Sequence, residues 1–349
     1  MYRYLIKMHP SSQKPVIIWL LTGCLLVYVM VLVGGITRLT HSGLSITEWK
    51  VIMGTLPPLN EEQWQLTFEK YQQSPEFKIV NNHYSLSEFK SIFWWEYLHR
   101  LLGRIIGLVF LIPFIYFLIK KKLDKKVTKD MVLIFILGGL QGFLGWFMVK
   151  SGLVKNPDVS HYRLAAHLIT AFAVFGYIFW VVLNLIYAKE QNIVSKTGNS
   201  LSKISKWLFA AVVLQIIYGA FVAGLNAGLV YNTFPKMGTE WIPESVTALN
   251  PFWGNFVEGL AGVQFIHRYL AYAIVVLVFI VWYKGKKVAL TERQQQAIAF
   301  LPIIVLFQFL LGLFTLLYSV PVVLGILHQT GAFLLFSSVI YLLHSIRKN

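Results

Sequence analysis

The stretch WWEYLHRLLGRIIGLVFLIPFIYFLI, residues 94–119, decides the class of fold. It carries Glu96, His99 and Arg100 near its start and is mostly apolar afterwards. A helix that crosses the hydrocarbon core of a membrane needs roughly 20 predominantly apolar residues. The stretch therefore predicts a membrane-spanning helix that places an acid, a histidine and an arginine where the surroundings become lipid.

The rest of the chain has the same apolar character. Of its 349 residues, 56% are hydrophobic and 13% are charged, whereas soluble domains carry about 25% charged residues. Stretches long enough to span a membrane are predicted at residues 16–36, 98–119, 131–149, 162–187, 207–225, 262–283, 297–318 and 322–343. We therefore predict an all-α polytopic membrane protein with eight transmembrane helices.

The net charge of +16 would suit a nucleic-acid partner, but the distribution of the charge argues against one. Lysines and arginines gather in short connections on alternate sides of the predicted spans, as in residues 120–129 and 284–293. Cytoplasmic connections are enriched in these residues, so the pattern predicts that both termini are cytoplasmic. A bacterial inner membrane is the simplest location, with membrane lipids and no nucleic acid around the chain.

Internal similarity divides the chain into two halves. AAHLITAFAVF (165–175) resembles ILHQTGAFLLF (326–336), and EYLHRLLGRIIG (96–107) resembles FIHRYLAYAIVV (265–276). Two further pairs follow the same order, which predicts parallel repeats of a four-helix bundle. The predicted units are an N-terminal half at residues 1–187 with a long outer loop at 37–97, a cytoplasmic linker at 188–206 and a C-terminal half at 207–349.

Four of the nine histidines lie inside predicted spans, namely His99, His167, His267 and His328. Their spans all run from outside to inside, so each histidine lies a few residues below the outer surface. A single intramembrane histidine is usually a packing residue, but repetition in both halves favours function, because ionisable groups are costly in lipid. Two facing imidazoles in a helix bundle suit the axial positions of a haem iron. Zinc is disfavoured, because both halves lack further cysteine or carboxylate ligands.

The charged residues near these histidines differ between the halves. Glu96 lies one turn before His99 and shares its helix face, whereas the equivalent residue, Gln264, cannot ionise. Glu96 is either part of a haem site or a boundary residue that reaches towards water. Arg100 and Arg268 suit haem propionates and suit lipid head groups equally well. The remaining histidines, His9, His41, His83, His161 and His344, are expected to be solvated or interfacial.

Several motifs together resemble those of the haem A synthase family, of the type found in proteobacteria and mitochondria. The resemblance covers nearly the whole chain. It is carried by GGITRLTHSGLSITEW (34–49), MGTLPPL (53–59), FWWEYLHRLLGRIIG (93–107), NTFPKMG (232–238), VQFIHRYLAY (263–272) and LHQTGA (327–332).

The resemblance implies an enzyme that converts haem O to haem A and so supplies haem A to cytochrome oxidase. In that reaction the C8 methyl group of the porphyrin becomes a formyl group through two hydroxylations and loss of water. The resemblance implies a haem b cofactor with His267 and His328 as axial ligands of its iron. It places the substrate haem on His99 and His167, with Glu96 as the catalytic residue. Some relatives carry a cysteine pair in outer loops, but the only cysteine here is Cys24, in the first span.

Other functions stay open at this point. A bis-histidine di-haem electron-transfer protein like cytochrome b fits the fold and ligand spacing equally well, and a haem transporter would bind haem without altering it. The difference between Glu96 and Gln264 favours an enzyme with one fixed and one exchangeable haem. Expected partners are haem O, an unidentified electron donor and, from the pathway, a haem O synthase. A homo-oligomer is also left open.

Overall fold

The structure is a computed structural model that describes residues 13–48, 56–152, 159–188 and 198–347. The regular elements of these residues are helices. They are α1 (Lys14–Leu39), α2 (Glu61–Gln72), α3 (Pro75–Ile79), α4 (Leu86–Ile119), α5 (Lys125–Gly152), α6 (His161–Ile186), α7 (Gly198–Gly224), α8 (Leu260–Gly285), α9 (Glu292–Leu317) and α10 (Val322–Ser345). Three short 3₁₀ turns, Ala227–Leu229, Glu244–Thr247 and Phe252–Phe256, lie in the connection between α7 and α8.

The long helices confirm the predicted all-α membrane fold. Within the described residues, 8 helices are long and apolar enough to cross a membrane. They are all the α-helices given above except α2 and α3. Each predicted span lies on one of them. The sequence prediction of eight membrane-spanning helices is therefore confirmed.

Helix α4 is longer than a membrane crossing requires. Its 34 residues correspond to roughly 50 Å of helix, against a hydrocarbon core of about 30 Å. It begins at Leu86 because Ser85 and Glu88 form a capping box, in which each side chain accepts a hydrogen bond from the other residue's backbone N–H. The first turns of α4 thus include residues 86–97, which we had assigned to the outer loop.

The centre of the bundle is formed by α1, α6, α7 and α10. Helices α6 and α10 contact each other across the two halves of the sequence, and both also contact α1 and α7. Aromatic side chains fill this contact: the rings of Phe175 and Phe333 are 4.2 Å apart, and those of Phe172 and Phe336 meet edge to face at 5.1 Å. Gly176 allows the close approach, because a Cβ there would lie 2.9 Å from Cδ1 of Ile340. The remaining long helices pack around this centre.

The connection predicted as a cytoplasmic linker, residues 188–206, is only partly described. Residues 198–206 already belong to α7, and residues 189–197 lie outside the described residues. The helix therefore starts earlier than the apolar stretch from which we predicted the span.

The outer loop folds into helices that rest on the first turns of α4. Trp64, Phe68 and Tyr71 of α2 pack against Phe89 and Phe93 of α4 in one buried cluster. Helix α2 begins after Asn60, whose side chain caps it by accepting a hydrogen bond from the backbone N–H of Gln63. Because these aromatic rings are buried, the outer loop is anchored directly to the helix that carries Glu96 and His99.

A buried carboxyl group lies in this outer segment. Glu76 is 6% exposed; its Oε2 accepts a hydrogen bond from Tyr71 Oη at 3.1 Å, and Tyr71 Oη accepts one from Asn81 Nδ2 at 2.8 Å. Burial raises the pKa of Glu76 from 4.5 to about 8, and the nearby carboxylate of Glu96 adds to the rise. Glu76 therefore keeps its proton to a higher pH in the folded protein than an exposed glutamate does.

We predict that Glu76 makes the protein less stable as the pH rises. In the unfolded chain Glu76 regains its ordinary pKa of 4.5 and releases its proton earlier than in the folded chain, whose value is about 8. The contribution of Glu76 to stability is thus fully present below about pH 4.5 and is lost as the pH approaches about 8. Melting temperatures in detergent at about pH 5.5 and about pH 8 should differ less in Glu76→Gln than in the parent.

The matched control is Glu69→Gln, because Glu69 is an exposed acid on the same outer segment. It should keep the pH dependence of the parent. An unchanged pH dependence in Glu76→Gln would contradict the prediction.

Candidate functional site

The four intramembrane histidines lie one each on α4, α6, α8 and α10, and each ring rests against a glycine of the preceding long helix. Measured from the position of a Cβ on that glycine, the nearest ring atom is 3.2 Å away for Gly34 and His99, 3.1 Å for Gly145 and His167, 3.3 Å for Gly219 and His267, and 2.7 Å for Gly312 and His328. A methyl group at these glycines would press on the rings. The glycines therefore make the space that the imidazoles occupy.

His267 and His328 face each other. Their ring centroids are 6.4 Å apart, with the ring planes at 80°. A bond between a metal and an imidazole nitrogen is about 2 Å long, so two axial ligands on opposite sides of one metal place their ring centroids roughly 6 Å apart. The spacing of this pair fits the axial ligands of a haem iron.

The other pair, His99 and His167, is also brought together, because the two rings interact electrostatically. Their helices are held together through α1, which contacts both α4 and α6. Among the described residues, a direct ring contact joins only His267 and His328 of the two pairs.

Glutamines on the preceding helices contact three of the histidines. Gln141 Nε2 donates a 3.0 Å hydrogen bond to the carbonyl oxygen of His167 and lies 3.4 Å from the Nε2 atom of its ring. Gln215 makes the same two contacts with His267, at 3.0 and 3.4 Å. The amide of Gln308 instead lies 3.2 Å from Nδ1 of His328.

These glutamines were missed by the sequence analysis. A signal was present, because each lies four residues before a glycine that contacts a histidine, as in Gln308 and Gly312, and so shares a helix face with it. On α1 the residue four before Gly34 is Met30, so the glutamine found on the other three helices is replaced by methionine. His99 receives no side-chain hydrogen bond from the residues that the structure describes.

The site also holds buried polar atoms whose hydrogen-bonding capacity is unused among the described residues. They are Nδ1 of His167 and His267 and Oε1 of Gln141, Gln215 and Gln308. Buried polar groups are normally satisfied, so these atoms indicate a site shaped for a ligand. Imidazoles at axial spacing, surrounded by apolar helices and glycines, fit a haem.

Glu96 is buried and fully engaged by hydrogen-bond donors. It is 2% exposed. Its Oε2 accepts hydrogen bonds from Ser45 Oγ and from the backbone N–H of Ile46, both at 2.7 Å, and its Oε1 pairs with Arg100 Nη2 at 2.6 Å. Glu96 is therefore not a boundary residue that reaches towards water. It ties α4 to the outer segment directly beside His99.

Arg100 strengthens the same junction. Its guanidinium donates to the carbonyl oxygens of Ile46 at 3.0 Å and Glu48 at 3.1 Å, as well as to Glu96. This fork of donors fixes the outer segment over the start of α4.

Gln264 and Arg268 build a related junction on α8. Gln264 Nε2 donates a 3.0 Å hydrogen bond to the carbonyl oxygen of Tyr231. Arg268 Nη2 lies within hydrogen-bond distance of the carbonyl oxygens of Thr233 (2.8 Å), Pro235 (3.3 Å) and Lys236 (3.1 Å). Arg268 Nη1, however, is buried and has no hydrogen-bond partner among the described residues. Arg268 thus keeps one donor group that an anionic ligand could use.

The expectation that the remaining histidines are solvated or interfacial is wrong for His344. His344 is 1% exposed, its Nδ1 lies 2.7 Å from Arg293 Nη2, and its ring packs at 4.9 Å from Trp180. Its burial depends on groups from other helices, which the local sequence does not reveal. His41 and His83 are exposed as expected, His161 is half-buried with Nε2 at 2.8 Å from the carbonyl oxygen of Val257, and His9 lies outside the described residues.

The described residues contain no cluster of three or more histidine, cysteine or acidic side chains that could hold a metal ion. A pair of facing imidazoles such as His267 and His328 suits a metal that brings its own equatorial ligands. A porphyrin supplies such ligands.

Comparison with known proteins agrees with the motifs. The model of the COX15-CtaA family, described as cytochrome oxidase assembly protein, matches residues 17–340. A heme A synthase of Flavobacterium johnsoniae is 51% identical over 342 residues, which cover 97% of this chain and 99% of the relative. The heme A synthase of Nitrosospira multiformis is 48% identical over 338 residues, covering 97% and 95%. That of Wolbachia pipientis wMel is 44% identical over 337 residues, covering 97% and 94%. The chain belongs to the COX15-CtaA family of cytochrome oxidase assembly proteins.

Proposed function

We propose that this protein is a haem A synthase, an oxidoreductase that converts haem O to haem A for cytochrome oxidase. The C8 methyl group of the porphyrin is oxidised to a formyl group through two successive hydroxylations and a dehydration. The observation that carries the proposal is the pair of facing imidazoles of His267 and His328, 6.4 Å apart, in a chain whose relatives are named heme A synthase.

His267 and His328 hold the retained haem b. When bound, this haem supplies one-electron redox chemistry. The residues around it bind and orient it: Gly219 and Gly312 make room for the two rings, and Gln215 and Gln308 contact the histidines from the preceding helices. The buried Nη1 of Arg268 is placed to donate to a propionate, which a guanidinium recognises with forked hydrogen bonds.

His99 and His167 hold the substrate, haem O. This site must release its occupant after each turnover, and the arrangement of its ligands suits that need. Among the described residues, no glutamine hydrogen-bonds the His99 ring, whereas His167, His267 and His328 each have one. Ligands that are held less firmly must be ordered when the substrate binds, and this cost lowers the affinity and favours exchange.

Glu96 is the catalytic residue of this proposal. It lies one turn before His99 on α4 and holds Ser45 Oγ, Ile46 N–H and Arg100 around its carboxylate. A carboxylate in this position can accept a proton from a reacting group or stabilise positive charge that develops on the porphyrin methyl carbon. Arg100 stays close enough to balance its charge and to approach a propionate of the substrate.

The chain is organised as two four-helix halves in a bacterial inner membrane, with both termini in the cytoplasm and the haem sites near the periplasmic side. The lysine-rich connections support this orientation, as they did from the sequence. The pathway suggests a haem O synthase as the partner that delivers haem O.

The function is tested by the haem that cells make. Membranes of cells that contain haem O and express this chain should yield haem A when the extracted haems are separated by chromatography. Two permanent haems without any formyl product would indicate an electron-transfer protein, and unaltered haem O bound to the purified chain would indicate a transporter.

The two histidine pairs should behave differently when they are substituted. His267→Ala and His328→Ala each remove an axial ligand of the retained haem, so we expect the purified variants to lose the low-spin haem b absorption. His99→Ala should keep it and lose conversion of haem O instead. A full low-spin band in both His267→Ala and His328→Ala would contradict the assignment.

Glu96→Gln should fold and retain haem b but convert haem O at least about 100-fold more slowly, which is the size expected for loss of proton transfer. Glutamine keeps the shape and its amide oxygen still accepts hydrogen bonds, but its amide nitrogen cannot accept from the donors that face one carboxylate oxygen, and the side chain cannot ionise. Retention of haem b shows that the fold survives this change. Chromatography of extracted haems measures the loss and shows any partly oxidised alcohol that accumulates. Glu61→Gln is the matched control, because Glu61 is an exposed acid of the outer segment. Haem A at the parental level in Glu96→Gln would contradict the catalytic role.

The orientation predicts opposite compartments for the segments that precede and follow α4. A topology reporter fused after Asn60 should report the periplasm, and one fused after Lys125 should report the cytoplasm. Reporters that give the same compartment would overturn the proposed topology.

A further inference from the structure

Gln308 differs from the other two glutamines in the ring nitrogen that it contacts. Its amide lies near Nδ1 of a histidine, whereas the amides of Gln141 and Gln215 lie near Nε2. The amide lies 3.2 Å from Nδ1 of His328. The contact leaves the opposite ring nitrogen, Nε2, for iron. Gln215 contacts His267 from the Nε2 side instead and donates to the carbonyl oxygen of that residue.

The protonation of the ring decides which amide atom is useful. A neutral imidazole that binds a metal through Nε2 carries its hydrogen on Nδ1. Nδ1–H must then find an acceptor, and the acceptor available on Gln308 is Oε1, which is buried and has no hydrogen-bond partner among the described residues. A half-turn of the amide exchanges Nε2 and Oε1 with little change in shape, so Gln308 can present its oxygen to Nδ1–H.

The same half-turn is costly for Gln215. Its Nε2 donates to the carbonyl oxygen of His267 at 3.0 Å, and a carbonyl oxygen can pair only with the nitrogen of the amide. Gln141 is held in the same way by His167. Gln308 makes no such bond to the backbone of His328, so it alone among the three is unconstrained in this respect.

The helices around Gln308 leave room for its amide. Gly331 lies one turn after His328 on α10, and a Cβ at Gly331 would overlap Oε1 of Gln308. On α9, Gly312 lies one turn after Gln308 and makes room for the His328 ring. Each helix thus supplies one polar side chain and one glycine. Gln308 of α9 packs against Gly331 of α10, and His328 of α10 packs against Gly312 of α9.

We propose that Gln308 is a positioning residue for the retained haem. Its amide oxygen accepts a hydrogen bond from Nδ1–H of His328, fixes the tautomer that leaves Nε2 for iron, and makes the imidazole a stronger electron donor. Partners of this kind orient metal ligands and raise their basicity, and hydrogen bonding around a haem tunes its potential. The inference rests on the proposed haem site between His267 and His328.

The test measures the midpoint potential of the retained haem in the purified full-length protein. Gln308→Leu removes the acceptor, so the imidazole donates less to iron, the oxidised form loses stabilisation and the potential should rise. Gln308→Glu supplies a charged acceptor and should lower the potential. Haem affinity in Gln308→Leu should fall about 10-fold to 100-fold, the usual cost of losing such a partner.

Two further variants make the test specific. Gln296→Leu is the matched control, since Gln296 is an exposed glutamine on the same helix, and its potential should equal that of the parent. Gly331→Ala displaces the amide without altering Gln308 and should raise the potential as Gln308→Leu does; it decides the matter if a Gln308 variant does not fold.

Shifts in the same direction for Gln308→Leu and Gln308→Glu, or no shift in either, would overturn the proposal, because a role in packing alone does not depend on the charge of the acceptor. If the parent binds haem but His267→Ala and His328→Ala keep it fully, the haem site itself is wrong and the inference falls with it. If the histidine variants lose the haem as expected but the Gln308 variants keep the potential of the parent, only the role of Gln308 is overturned.

Discussion

The structure depends on the burial of imidazole rings between membrane helices. A polar ring in lipid is costly unless it is paired or ligated, and each of the four rings solves the problem of space in the same way, by resting against a glycine of the preceding helix. This requirement brings the helices of each pair close together. The same contacts place the rings where the proposed haems would be bound.

The difference between the halves follows from what surrounds the rings. His267 and His328 face each other and are contacted by glutamines from α7 and α9, an arrangement that suits permanent binding. His99 lacks such a glutamine, and the residue one turn before it is the carboxylate Glu96, which holds the outer segment through Ser45 and Ile46. In the proposed function, the first pair would keep a haem, and the second lies on a helix that is tied to the outer segment.

The sequence predicted the helices and the histidines well, because apolar length and the repetition of His-containing motifs are local signals. It did not predict that Glu96 is tied to Ser45 and Ile46, because those partners lie on a loop whose path depends on the packing of α2 and α3 on α4. His344 was misjudged since its burial comes from Arg293 and Trp180 on other helices. The glutamines were missed because their meaning depends on the rotation of one helix against the next.

The central claim is that one haem is fixed and the other is exchanged. It is tested most directly by incubating purified protein, carrying its retained haem, with haem O, a reductant and oxygen, and then extracting the haems that remain bound and those released. The account predicts that haem b stays bound in a constant amount, while haem O enters and haem A is released. Displacement of haem b by haem O, or conversion of the retained haem itself, would contradict it.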